Sequence, residues 1–178
     1  MLTAIVLSLI LGLMLAEARV SKSNEVQLRA QGAVEPEGDV YRLMVVLYPA
    51  CFIGMGLEGY WRERAGRAGA WSLTPEALLV SGFLLFAASK ALKYWAIKAL
   101  GPRWTFRVLV LPGVTLVDRG PYRYIAHPNY VAVVAELAGA AMMMSAWVTG
   151  PMALAAFGGT LWARVRVERR ALQELSRR

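Results

Sequence analysis

Five apolar stretches divide this chain, at about residues 2–18, 41–60, 75–95, 130–147 and 151–165, and they constrain its fold more than any other feature. Crossing a hydrocarbon core takes about 20 mostly apolar helical residues, within a range of about 17 to 25, because the lipid offers no partner to backbone N–H and C=O groups. The pattern predicts an all-α integral membrane protein with about five transmembrane helices, the first and last stretches being marginal in length. Pro49 and Pro151 do not oppose this, since neighbouring helices can satisfy the freed backbone groups. The composition agrees: 57% of the 178 residues are hydrophobic and the mean hydropathy is +0.44, above the apolar share of ordinary soluble domains. The first stretch ends in small residues, as a secretory signal does, but lacks the basic leading region, and we expect it to remain as a membrane helix.

The net charge of +8 lies between the apolar runs, where lysine and arginine meet cytoplasmic loops and membrane lipids rather than nucleic acid. With alternating sides, seventeen basic residues gather on one face, Lys90 and Lys93 among them, against Arg62, Arg64 and Arg67 on the other. The bias places the amino terminus outside and the carboxyl terminus, with the functional residues, in the cytoplasm. The single cysteine, Cys51, excludes an internal disulfide, a CxxC redox pair and a thiolate zinc site. It reads as a buried, inert thiol, and no metal site is expected.

No repeat or low-complexity linker interrupts the chain, which reads as one membrane domain: a three-helix part over residues 1–97 and a functional core over residues 98–178. The connection at residues 98–129 is too rich in aromatic and β-branched residues for disorder, and connections of this length are usually functional. It is expected to form an ordered cytoplasmic cap. At the other end, Leu161, Val165, Leu172 and Leu175 recur at roughly helical spacing between charges, which predicts a span continuing into a cytoplasmic amphipathic helix.

Two features carry chemistry. One is "GPYRYIAHPNY", residues 120–130, which holds the only histidine, His127, at the edge of an apolar run. The other is Arg164 with Glu168, four residues apart and so on one helix face. Ionisable groups beside hydrocarbon are expensive and usually line a polar cavity. Together they predict a polar pocket at the membrane surface, able to hold a charged cofactor from water beside a hydrophobic acceptor from lipid. Simpler readings stand beside this one. His127 can cap a helix, and Arg164–Glu168 can be an ordinary surface pair. Trp104 and Tyr124 read as interfacial aromatics, Met142 to Met144 as packing or lipid-facing material, and the small residues of "ELAGAA" and "AAFGGT" as helix contacts. Glu136, inside a span, is expected to face the bundle interior.

Through Gly120, Tyr122, Arg123, His127, Pro128 and Tyr130, followed by Arg164 and Glu168, the sequence resembles the isoprenylcysteine carboxyl methyltransferase family and its prokaryotic members, over about residues 100–175. Residues 21–48 also look like bacterial members that methylate long-chain alkylpyrones or alkylresorcinols. The resemblance implies transfer of a methyl group from S-adenosylmethionine to a carboxylate, enol or phenol oxygen of a lipophilic or lipidated acceptor. It implies that Val114, Thr115, Leu116 and Val117 line the cofactor, that Tyr122, His127, Pro128, Asn129 and Tyr130 wrap it, and that Glu168 contacts it. Arg164 would then stand beside the acceptor oxygen. The chain departs from the family pattern at Ala126, where relatives usually carry arginine; it either does without that arginine or uses Arg123 instead. Three rivals remain: a phospholipid or amine N-methyltransferase, in which Arg164 would repel a protonated amine; a nicotinamide-dependent membrane reductase; and a non-enzymatic lipid-binding protein.

Overall fold

The computed structural model describes residues 1–66, 75–114 and 117–175, with side chains described as far as residue 170. Five long helices occupy the five apolar regions: α1 (Leu2–Ala30), α2 (Tyr41–Arg64), α3 (Pro75–Leu100), α4 (Pro128–Met143) and α5 (Thr149–Leu175). No strand forms among the described residues. The only β-pairing there is an isolated antiparallel bridge between Val34 and Val110.

Three of the helices, α1, α2 and α3 with its following turn, are long and apolar enough to cross a membrane. The sequence predicts about five such spans. The other two helices pair as a hairpin. At 16 residues, α4 rises about 24 Å, short of a hydrocarbon core of about 30 Å, while α5 turns polar from Arg164 onward. The hairpin turn carries Ser145 at φ 50 and is fixed from α2, where Glu58 accepts from the amides of Thr149 at 2.7 Å and Val148 at 3.1 Å. A carboxylate there satisfies unpaired amides and opposes the positive end of α5. The end of α5 returns to the same end of the bundle as the start of α4, so the side on which the chain finishes does not depend on how deep the hairpin reaches.

The core joins Phe52 and Met55 of α2, Phe86 of α3, Leu137 of α4 and Phe157 of α5. Where α3 crosses α4 the backbones touch. A Cβ at Gly82 would lie 2.7 Å from the Gly139 carbonyl, and one at Gly139 would lie 2.8 Å from that of Gly82. "ELAGAA" thus makes a helix contact within the chain, whereas Gly158 and Gly159 of "AAFGGT" face open space.

Lys90 and Lys93 do not join the basic surface that the sequence pattern assigns them to. Both are buried among the helices, with Glu17 of α1 and Glu136 of α4. Lys90 lies 2.7 Å from Glu17 and 3.2 Å from Glu136, and Lys93 repeats the pattern at the same distances. Tyr48 of α2 donates its hydroxyl to Glu136. Two ammoniums and two carboxylates cancel, which is the condition under which charges persist away from water. Glu136 faces inward as expected.

The helix α1 runs on to Ala30, well past its apolar part, because Ser21, Glu25 and Leu28 continue the buried face begun by Glu17. That face holds the cap. The Ser21 hydroxyl accepts from the Phe106 amide at 2.7 Å, Asn24 donates to the Trp104 carbonyl at 2.8 Å, and Arg107 sits between Glu25 at 2.9 Å and Glu35 at 2.6 Å. Burial works to raise the Glu35 carboxyl, but hydrogen bonds from Arg29 and Arg107 outweigh it and hold the group below its ordinary value. On the far side the cap presses on α3 at Gly120, where φ is +63 and a Cβ would meet that of Ala99 at 2.8 Å. Only glycine fits there.

Candidate active site

Beneath the cap lies a cavity of about 700 Å³, lined by residues of all five helices and of the cap. Eight of the eleven residues singled out in the sequence line it: Val114, Val117 and Tyr122 from the cap, His127, Asn129 and Tyr130 from the start of α4, and Arg164 and Glu168 from α5. Pro128 does not line it. It is the buried first residue of α4, where its missing N–H costs nothing. Thr115 and Leu116 lie outside the described residues.

Arg164 is 5% exposed, and its guanidinium is bracketed. The Nε donates to the Tyr130 hydroxyl at 2.8 Å and lies 3.7 Å from Glu168, while Nη1 lies 3.6 Å from Asp39. The Tyr130 hydroxyl in turn donates to Glu168. His127 occupies the N-cap position of α4, yet its side chain makes no capping bond. Instead its ring stacks on Tyr130, with centroids 5.2 Å apart and planes 13° apart, and Nδ1 lies 3.5 Å from Glu168. The imidazole belongs to the cavity rather than to the helix end. Tyr122 lines the same wall; burial and then the nearby Glu168 charge push its phenol up to about 12, so it stays protonated near neutrality.

Two further residues belong to this site. Trp104, read from the sequence as an interfacial aromatic, is 3% exposed; it lines the cavity, and its indole N–H donates to Asn129 at 3.4 Å. An indole that finds a polar partner and an apolar wall has no reason to stay at the membrane surface. Tyr124, at 74% exposure, does remain outside. Asp39, which no sequence motif marks, faces Arg164 from the α1–α2 connection. Ala126 is exposed and does not line the cavity, and the same holds for Arg123. The departure from the family pattern therefore falls outside the cavity wall.

The lining also includes the apolar Met14, Val45, Val133 and Phe157, together with Tyr48, Glu17 and Lys93 of the buried ion cluster. Leu15 and Val45 line the cavity and are also 62% and 44% exposed on the bundle surface, so the wall between α1 and α2 reaches the lipid-facing side.

Fold and site define an integral membrane protein that carries a buried cation and carboxylates in a ligand-sized cavity at one end of a helical bundle. The sequence profile of the isoprenylcysteine carboxyl methyltransferase (ICMT) family matches residues 80–174. Over 161 residues, 90% of each chain, the protein is 31% identical to the uncharacterized protein YpbQ of Bacillus subtilis (strain 168). No solved structure matches significantly. The chain belongs to the isoprenylcysteine carboxyl methyltransferase family, a family of membrane methyltransferases that use S-adenosylmethionine. The matched segment runs from within α3 through most of α5 and holds every site residue discussed above except Asp39 and those of α1 and α2.

Proposed function

We propose that this protein transfers a methyl group from S-adenosylmethionine to an oxygen of a lipophilic, membrane-borne acceptor. The observation that carries this reading is the placement of Arg164, a buried guanidinium facing the same cavity as Glu168, His127 and Tyr130. The donor set suits the cofactor: a carboxylate and two aromatic faces for its cationic part, Val114 and Val117 for its apolar parts, and a volume within the range of small-molecule sites. When bound, the cofactor supplies a methyl group activated by sulfonium.

The residues of the chain then have mainly to align and desolvate. Arg164 holds the acceptor oxygen as an anion through a charge-assisted hydrogen bond, in a setting that excludes water. A carboxylate acceptor needs no base. An enol or phenol must first lose a proton, and the His127–Glu168 pair, half-buried at the cavity wall, is placed to receive it. An amine acceptor is disfavoured because a second cation would have to approach Arg164. In this reading residues 98–178 supply the cofactor side, residues 1–97 much of the acceptor side, and the acceptor arrives from the lipid past Leu15 and Val45. Its amino terminus lies outside a bacterial or archaeal cell membrane, and its carboxyl terminus and site in the cytoplasm.

The test is calorimetric titration of the detergent-purified protein with S-adenosylmethionine and, separately, with reduced nicotinamide dinucleotide. Labelled methyl transfer to a panel of acceptors follows: a farnesylated N-acetylcysteine, a long-chain alkylresorcinol and a long-chain alkylpyrone. Binding of the first ligand alone, with label on an acceptor oxygen, supports the reading. Failure to bind S-adenosylmethionine, or binding of the nicotinamide in its place, overturns it.

A further inference from the structure

We infer that Asp39 is a positioning residue for Arg164, reaching into the methyltransferase core from outside the family-matched segment; the inference rests on the function proposed above. Its carboxylate is tied in three directions. One oxygen accepts from the Tyr41 amide at 3.1 Å and lies 3.6 Å from Arg164 Nη1, and the other accepts from the Val108 amide of the cap at 3.0 Å. Its side chain is 3% exposed. A carboxylate so far from water requires a cation, and Arg164 provides it.

The role follows from symmetry of distance. Arg164 stands between two carboxylates, Asp39 at 3.6 Å and Glu168 at 3.7 Å. Glu168 shares its helix and belongs to the cofactor side of the cavity. With Asp39 neutralised, the remaining attraction draws the guanidinium toward Glu168, cancelling the carboxylate meant for the cofactor and turning the cation from the acceptor. Asp39 opposes that collapse. The bond from the Val108 amide in turn holds the Asp39 carboxylate in place.

The experiment compares Asp39→Asn with Glu35→Gln, which removes one cap contact without touching Arg164 and leaves the cap held by Ser21, Asn24 and Glu25. Using whichever panel acceptor the parent methylates, Asp39→Asn is expected to lower kcat by about tenfold or more, the scale of a misaligned catalytic group. Glu35→Gln should stay within about twofold of the parent. Equal losses in the two variants, or parental turnover in Asp39→Asn, overturn the inference. Where Asp39→Asn does not fold, Asp39→Glu keeps the charge but lengthens the arm; a lowered kcat again supports positioning, and an unchanged one refutes it. A second arm needs no turnover: hydrogen exchange of the Arg164 Nε–H, followed by nitrogen NMR and assigned with Arg164→Lys. An altered exchange rate in Asp39→Asn but not in Glu35→Gln supports the role, and parental exchange in both, or an equal change in both, overturns it. A parent inactive on every acceptor counts against the methyltransferase reading, while the exchange arm still decides on Asp39.

Discussion

The Tyr130 hydroxyl stands between Arg164 and Glu168, accepting from the Arg164 Nε at 2.8 Å while donating to the Glu168 carboxylate. A neutral phenol thereby separates two opposite charges that share one helix face; in the proposed function each serves a different ligand. Tyr130→Phe removes that spacer and nothing else, so the charges should close into a direct pair. Turnover is expected to fall by about tenfold to a hundredfold, because the cation leaves the acceptor oxygen. Labelled methyl transfer by the purified variant checks this, with circular dichroism to confirm the fold. A variant as active as the parent would show that the hydroxyl is only a packing partner.

The two charged partners should separate kinetically. Glu168→Gln keeps shape but loses the charge that, in the proposed function, complements a cationic cofactor, so its affinity for S-adenosylmethionine should drop by about tenfold, the value of one charge-assisted contact. Arg164→Lys retains charge but not the planar fork. It should bind the cofactor within about threefold of the parent and lose chiefly kcat, as expected for a contact realised in the transition state. Calorimetry and steady-state rates on both variants decide it; the reverse pattern would exchange the two assignments.

The helical class, the five regions and the cavity-lining residues of α4 and α5 are legible in the sequence because apolar runs and i, i+4 charge spacing are local signals. What the sequence hides is set by partners distant along the chain. The polar half of α1 lies beyond the first apolar stretch, and its bonds to the cap through Ser21, Asn24 and Glu25 explain why the helix continues. The signal was present in Glu17, Ser21, Glu25 and Leu28 at helical spacing, but with polar side chains marking the buried face. Lys90 and Lys93 read as a basic flank because their counterions are Glu17 and Glu136, each on a different helix. Asp39 looks like a turn residue, since its value comes only from Arg164 on the far side of the cavity.

The ion cluster of Glu17, Lys90, Lys93 and Glu136 makes a prediction about stability rather than rate. Glu17→Leu alone leaves two lysines facing one carboxylate in the bundle interior, and breaking a buried pair in this way costs about 3–5 kcal/mol. Glu17→Leu with Lys93→Met restores neutrality and should recover most of that loss, since an apolar pair of similar volume is often as stable as an ionic one. Thermal unfolding in one detergent provides the comparison. A double variant no more stable than the single would mean that the cluster acts through geometry instead of charge balance.

Cap docking should weaken in acid. Because Glu35 is held below its ordinary value of 4.5 in the folded protein, the stabilisation it lends is complete above that value and fades as pH falls through the lower, folded one. Protonation would release Arg29 and Arg107 and loosen the wall carrying Trp104. Trp104→Phe identifies the emission of the buried indole, which should shift to the red as the pH is lowered below about 4.5. Glu35→Gln should lose that part of the transition. An identical acid shift in the Gln variant would assign it to other carboxylates.

Helix contact gives the last prediction. Gly139 and Gly82 bring α4 and α3 together backbone to backbone, with a Cβ on Gly139 placed 2.8 Å from a carbonyl oxygen that cannot turn aside. Gly139→Ala must therefore push α4, and the His127 and Tyr130 it carries, away from α3. Overpacking of this kind costs about 1–3 kcal/mol, visible as a lower unfolding temperature together with reduced cofactor affinity. Gly159→Ala adds the same methyl group where nothing lies within 4 Å and should leave both measurements at the parental value or slightly raise stability through helix propensity. Equal losses at the two glycines would mean that α5 packs against a further partner through Gly159, whereas no loss at Gly139 would show that the α3–α4 crossing is looser than the structure has it.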